Sequence, residues 1–240
     1  MTEQPGDWPT PQKILVILAH PDDPEFFCGG TLVRWARAGH EIHYLLLTCG
    51  DKGGDADATP AGLCTTRHAE QENAAAVIGV KTVRFLDLED GALVPSLDLR
   101  REIVRAIRRE KPDILVTCDP TLLYTPLGTL NHPDHRAAGQ AVLDAVFPAA
   151  GNVHYYPELL RDEGLEPHTP REVWVSLANQ PTVVLDVTGL WEVKLRALKE
   201  HKSQIGDADR FEVRMRSRRA ADSTEENPRY EEKFRIIKYA

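Results

Sequence analysis

Cysteine is scarce in this chain: four in 240 residues, with no CxxC pair among them. That spacing excludes a zinc ribbon, and the number is too small for a dense disulfide framework. Cys28, Cys49, Cys64 and Cys118 therefore read as buried, reduced thiols, with Cys28 set apart by its closeness to an acidic cluster. Long apolar runs are also missing, and no segment approaches the ~20 residues that cross a bilayer. The opening MTEQPGDWPTPQ has neither a basic n-region nor an apolar h-region, so the expected location is the cytoplasm. Positive charge is in deficit. Lys and Arg number 29 against 37 Asp and Glu, a net charge of −8 that argues against nucleic acid or an anionic membrane as partner. The first strand-to-helix turn lacks GxGxxG. It reads HPDDPEFFCGG, with two acidic side chains where a nucleotide's phosphates would sit.

What is present is alternation. With 42% hydrophobic residues the chain can bury a substantial core. KILVILA (13–19) is an unbroken aliphatic run, as expected of a strand covered on both faces. GGTLVRWARAGH reads as a helix ending near Gly39, and EIHYLLLT (41–48) as a second strand. TTRHAEQENAAAVIG is a helix stopped by Gly79, TVRFL a short strand, LDLRREIVRAIRREK an amphipathic helix ending before Pro112, and DILVTC (113–118) another buried strand. HPDHRAAGQAVLDAVF opens a further helix, and REVWVSLA and TVVLDVT are strands. LWEVKLRALKEHKSQI and RFEVRMRSRRAA read as helices and EEKFRIIKYA as a closing edge strand. The expectation is one α/β domain over 1–240. Its Rossmann-like, mostly parallel sheet would carry helices on both faces (about 13–150), with a C-terminal extension (about 151–240) packed on it.

In such sheets ligands bind outside the carboxyl ends of the strands. HPDD after the first strand, TCGDKGG after the second and CDPTLLYTPLGTLNHPDH after the fourth all emerge at that edge. His20 and Asp23 are three positions apart in a tight turn, and His132 and His135 share one face at a helix start. Each pair alone has a plain alternative: Asp22 or Asp23 capping a helix, and Asn131 as an N-cap. Two such pairs at one crevice make a metal site. Two imidazoles and a carboxylate suit a hydrolytic zinc centre, and the adjacent Asp22 suits a general base.

AHPDD, the GGT that follows, RHAE from Arg67 to Glu70, HPDH, and LKEHKSQ near residue 200 together resemble the PIG-L/LmbE family of zinc-dependent N-acetylglucosaminyl deacetylases over nearly the whole chain. The resemblance implies His20, Asp23 and His135 as zinc ligands and Asp22 as general base. It implies His132 as the group that steadies the oxyanion or protonates the leaving amine, with Asp134 orienting and charging it. Arg67 corresponds to an arginine at the substrate mouth; a salt bridge with Glu70 is its structural alternative. His201 matches a recurrent family element and is either a substrate contact or a packed histidine. Phe27 stands where relatives often carry a small residue, so it would narrow the pocket or stack on a sugar ring.

The implied reaction is metal-dependent removal of an N-acetyl group from a soluble N-acetylglucosamine derivative, either chitobiose-like or a sugar–thiol precursor. Competing readings are an amidase or deacylase of a sugar–thiol conjugate or natural-product glycoside, and a non-catalytic metal-binding protein. Zinc is the expected ion, with Fe²⁺, Co²⁺ or Mn²⁺ also compatible with a His₂Asp set. By resemblance the chain would assemble as a homo-oligomer, a trimer or hexamer. The arginine run RFEVRMRSRR either presents Arg214 or Arg218 to an anionic aglycone or is a solvated face or subunit contact.

Overall fold

The computed structural model describes residues 5–55, 57–125 and 128–239. Strand β1 is Lys13–Leu18, and from Ile14 onward its residues are at most 2% exposed. A run of aliphatic residues without polar alternation can be satisfied only in the middle of a covered sheet. The remaining strands are β2 (Glu41–Thr48), β3 (Thr82–Leu88), β4 (Ile114–Cys118), β5 (Glu172–Ser176), β6 (Val183–Asp186) and β7 (Glu231–Lys238). They form one seven-stranded sheet in the order β3-β2-β1-β4-β5-β7-β6. β1 to β5 run parallel, and β7 runs antiparallel to both β5 and β6.

The helices are α1 (Asp23–Arg37), α2 (Pro60–Ile78), α3 (Leu97–Glu110), α4 (Pro133–Asp144), α5 (Pro157–Glu163), α6 (Trp191–Leu198), α7 (Lys202–Ile205) and α8 (Ala208–Arg216). Right-handed crossovers to either side of β1 place α1 and α2 on one face and α3 and α4 on the other. The packing follows: α1 and α2 meet α6, while α3 meets α4. The α/β, mostly parallel architecture expected from the sequence is therefore the one found.

Three details differ from expectation. The final strand is interior, and β6 takes the edge. The charges of EEKFRIIK suggest solvent, but Glu232 is buried and paired with Lys194. The helix expected through LKEHKSQ breaks between α6 and α7, where His201 leaves helical geometry at ψ 58° and turns into the core. Cys28 and Cys118 are free and buried, but Cys49 and Cys64 form a disulfide rather than remaining thiols. Fifteen residues apart in sequence, they meet because the exit of β2 lies against the first turns of α2.

The GGT segment owes its form to an irregularity. Cys28, at φ −147° and ψ 18°, interrupts α1 and releases two backbone donors. Gly30 N–H and Thr31 N–H donate to the Glu232 carboxylate at 2.9 and 2.7 Å, and the Thr31 hydroxyl donates at 2.6 Å. Lys194 Nζ completes the cluster, 2.6 Å from Glu232 Oε1 and 3.0 Å from Phe26 O. A Cβ at position 30 would strike Val187, so glycine is required there. β7 and α6 thereby clamp α1, the helix whose first turn carries Asp23 and Glu25.

Candidate metal centre and active site

β1 and β4 are neighbours, and the chain leaves them toward opposite sides of the sheet, which opens a crevice at their carboxyl ends. The turn after β1 is closed by Asp23 N–H donating to His20 O at 3.3 Å and His20 N–H donating to Asp23 Oδ2 at 2.8 Å. Asp22, between them, sits at φ 91°, a left-handed conformation that costs a non-glycine residue about 1–3 kcal/mol. It is held there from two sides. Its N–H donates to Gln71 Oε1 at 2.8 Å, and its Oδ2 accepts from Arg67 Nη2 at 3.1 Å.

His20, Asp23 and His135 lie together at the crevice. His20 Nδ1 is 3.4 Å from Asp23 Oδ2 and 3.3 Å from His135 Nε2, and His135 Nε2 is 3.1 Å from Asp23 Oδ1. Donors bound about 2.0–2.2 Å from one ion stand roughly 3–3.5 Å apart, so these three fit a common cation. The outer nitrogens are also committed. His20 Nε2 faces Asp134 Oδ2 and Asp90 Oδ1, both at 3.2 Å, and His135 Nδ1 faces Asn131 Oδ1 at 2.9 Å. Such partners leave Nδ1 of His20 and Nε2 of His135 as the lone-pair donors.

The electrostatics point the same way. Burial by itself would lower the His20 imidazole, but hydrogen bonds to Asp134, Asp23 and Asp90 push it up to about 12. Burial likewise opposes ionisation of Asp23, yet His135 and His20 hold it far below the usual carboxylate range. Three carboxylates around one imidazole demand positive charge. A divalent cation held between the three donors would supply it.

Asp22 behaves differently from its neighbour. Burial raises its carboxyl to about 6, with Arg67 opposing and Asp23 assisting. That value suits a group that must accept a proton near neutral pH. His132 is exposed at the mouth and is itself the N-cap of α4, the place that the plain alternative gave to Asn131. Its Nδ1 accepts from Asp134 N–H at 3.2 Å, so a neutral ring carries its proton on Nε2. Desolvation and the neighbouring His20 and His135 lower its pKa, which favours that neutral form over the expected imidazolium. The Asp134 carboxylate does not orient His132 as anticipated. It serves His20 and accepts from the N–H groups of Gly91 (2.7 Å) and Leu93 (3.2 Å).

Arg67 and His201 both lie beneath the site rather than at its mouth. Arg67 is 4% exposed and donates to Pro21 O at 2.6 Å and Gly50 O at 3.0 Å as well as to Asp22. Gly50, at φ +68°, admits the guanidinium only because it lacks a Cβ. Glu70, the alternative partner for Arg67, instead accepts from Ser203 N–H and Oγ, both at 2.7 Å. His201 is fully buried, with Nε2 3.2 Å from Glu25 Oε2. Glu25 also accepts from Tyr44 OH at 3.2 Å and Gln71 Nε2 at 3.0 Å, so a hydrogen-bond path links His201 to Asp22 through Glu25 and Gln71. Phe27 backs the centre, edge-on to the His135 ring with centroids 5.0 Å apart. The arginine run is spent locally. Arg214 lies over Phe211, Arg218 over Phe26, and Arg216 pairs with Glu192 and Glu212.

Sequence reasoning missed Asp90, Asn131, Gln71 and Glu25. Asp90 had a usable signal, since LEDG leaves β3 at the same edge as the other three segments. Asn131 directly precedes HPDH. Gln71 and Glu25 carried none, because each acts through a helix face that only packing reveals.

Residues 15–146 match the family model described as PIG-L, GlcNAc-PI de-N-acetylase. Diacetylchitobiose deacetylase of Thermococcus kodakarensis is 36% identical over 198 residues, which span 81% of this chain and 70% of that protein. A 1D-myo-inositol 2-acetamido-2-deoxy-alpha-D-glucopyranoside deacetylase of Rhodococcus erythropolis is 28% identical over 245 residues, covering 81% of each chain. The solved structure of N,N'-diacetylchitobiose deacetylase from Pyrococcus horikoshii superimposes with a TM-score of 0.86 at 29% identity, covering 99% of this chain and 88% of that one. With the family model spanning more than half of its length and a curated relative above 30% identity, this chain belongs to the PIG-L family.

Proposed function

We propose that the chain is a metal-dependent N-deacetylase acting on a soluble N-acetylglucosamine-containing substrate, with a chitobiose-like sugar preferred over a sugar–thiol precursor. The observation that carries this reading is the donor triangle of His20, Asp23 and His135, edges 3.1 to 3.4 Å, with Asp22 beside it at a pKa raised to about 6. The similarity to two diacetylchitobiose deacetylases supports the substrate class. Zinc is the proposed ion, held by those three residues. When bound it supplies Lewis acidity, polarising an acetamide carbonyl and making water more acidic.

The chain's own residues account for the remaining steps. Asp22 accepts a proton from the water that attacks the acetamide carbon. His132, with its proton on Nε2, donates a hydrogen bond to the carbonyl oxygen as negative charge develops there. Collapse breaks the C–N bond, the proton taken by Asp22 returns to the leaving nitrogen, and the products are a free amine and acetate. Arg67 holds the Asp22 carboxylate and Gln71 holds its backbone N–H, which together fix the angle this transfer needs.

Amine release from N,N'-diacetylchitobiose and a panel of other N-acetylglucosamine derivatives, by zinc-reconstituted protein, tests the reading beside Asp22→Asn. The variant should keep its metal and lose roughly 10²- to 10⁴-fold in kcat. Equal turnover by both proteins, or none by the wild type on any sugar while metal is bound stoichiometrically, would refute it.

A further inference from the structure

A second cluster of metal-ligating side chains lies where the exits of β2 and β3 meet α2. Cys49 follows β2, Asp87 is the penultimate residue of β3, and Cys64 and His68 stand one turn apart on the same face of α2. One donor atom from each lies within 4.8 Å of the other three. The cluster is also pre-oriented. The His68 ring stacks on Phe85 with centroids 3.7 Å apart and planes 19° apart, and its Nε2 is 2.9 Å from Asp87 Oδ1. Asp87 adopts φ 52°, a left-handed conformation uncommon for a non-glycine residue.

We propose that Cys49, Cys64, His68 and Asp87 constitute a second, thiolate-rich site for a divalent ion of the zinc class, available when the Cys49–Cys64 disulfide is reduced. The donor set is Cys₂HisAsp, tetrahedral in number and closed, the pattern of a structural rather than a catalytic site. In a tetrahedral zinc site, two sulfurs about 2.3 Å from the ion lie roughly 3.8 Å apart. The two Cα atoms, 5.1 Å apart, can remain in place while the cysteine side chains rotate to that separation. Opening the site consumes two electrons and two protons. A dithiol or phosphine reductant supplies the electrons, the S–S bond breaks, and two thiols form. Binding of the ion then releases both thiol protons. The two thiolates and the Asp87 carboxylate offset the dication and leave a net charge of −1 with a neutral His68.

Softness separates this site from the catalytic one. Two thiolates select zinc or cobalt over magnesium or manganese, whereas the His20, Asp23 and His135 set contains no sulfur. The inference does not depend on the deacetylase reading. An ion here would tie α2 to the ends of β2 and β3, one residue away from Arg67, as the disulfide ties it to β2 alone.

Cobalt titration of phosphine-reduced, chelator-stripped full-length protein provides the test. Reduced protein should take one equivalent of Co²⁺ more than oxidised protein and develop a near-ultraviolet thiolate-to-cobalt charge-transfer band with it. Oxidised protein should show no such band. Cys64→Ser should abolish the band, and His68→Ala, a change on a half-exposed helix face, should weaken the redox-dependent equivalent at least tenfold while keeping native circular dichroism. Equal uptake in both redox states, a band that survives Cys64→Ser, or loss of fold on reduction would each overturn the proposal.

Discussion

Replacement of Arg67 by methionine isolates what the guanidinium does for Asp22. The methionine side chain retains much of the arginine's apolar bulk but removes its charge and three hydrogen bonds, to Asp22 Oδ2, Pro21 O and Gly50 O. In the wild type, burial raises Asp22 to about 6 and Arg67 is the largest influence opposing that rise. An opposite charge at this range lowers a carboxyl pKa by roughly 1–3 units, so its loss should move Asp22 upward by that amount. The acid limb of kcat/KM against pH should therefore shift to higher pH by roughly 1–3 units. Activity lost below the variant's limb should recover above its new pKa. Both proteins are compared with the same metal bound, so the metal's own pull on the carboxylate cancels. Arg67→Lys should fall between them, because one ammonium cannot reach all three acceptors. An acid limb that stays in place in Arg67→Met, measured well below the variant's Tm, would refute the assignment of Arg67 as the holder of Asp22.

Three further outcomes follow from the same contacts. Glu232→Gln leaves Lys194 as a buried, uncompensated charge and should cost about 3–5 kcal/mol in urea unfolding, with Lys194→Met added to it recovering part of the loss. Asn131→Ala frees Nδ1 of His135 and should weaken zinc binding roughly 10- to 100-fold in competition with a chromophoric chelator. His201 sits above its ordinary value of 6.5, because its hydrogen bond to Glu25 and the charges of Glu25 and Asp22 outweigh the lowering effect of burial. A folded pKa raised above the unfolded one stabilises fully below about 6.5 and fades as pH rises through the folded value. The Tm advantage of wild type over His201→Gln should accordingly shrink as pH climbs above 6.5; an advantage independent of pH would contradict a charged His201.

Local pattern carried most of the architecture. The KILVILA run had to be a central strand because no polar alternation offers it a solvent face, and it became β1 with neighbours on both sides. Gly79 stopped α2 in a left-handed cap at φ 97°, as its position at the end of an apolar pattern implies. HPDD and HPDH were legible as a converging site because both follow buried parallel strands, whose carboxyl ends share one edge. What the sequence by itself determined, then, was the order of strands and helices and which donors reach the crevice. Only the tertiary structure decided what stands behind those donors. Asp134 serves His20 instead of His132, Glu232 is an interior anchor in a strand that reads as an edge, and Arg67 and His201 support the floor of the site. Each depends on contacts between residues 38 to 176 positions apart. Side chains that distant are brought together by sheet order and helix packing, and no local periodicity or spacing records which of them will meet.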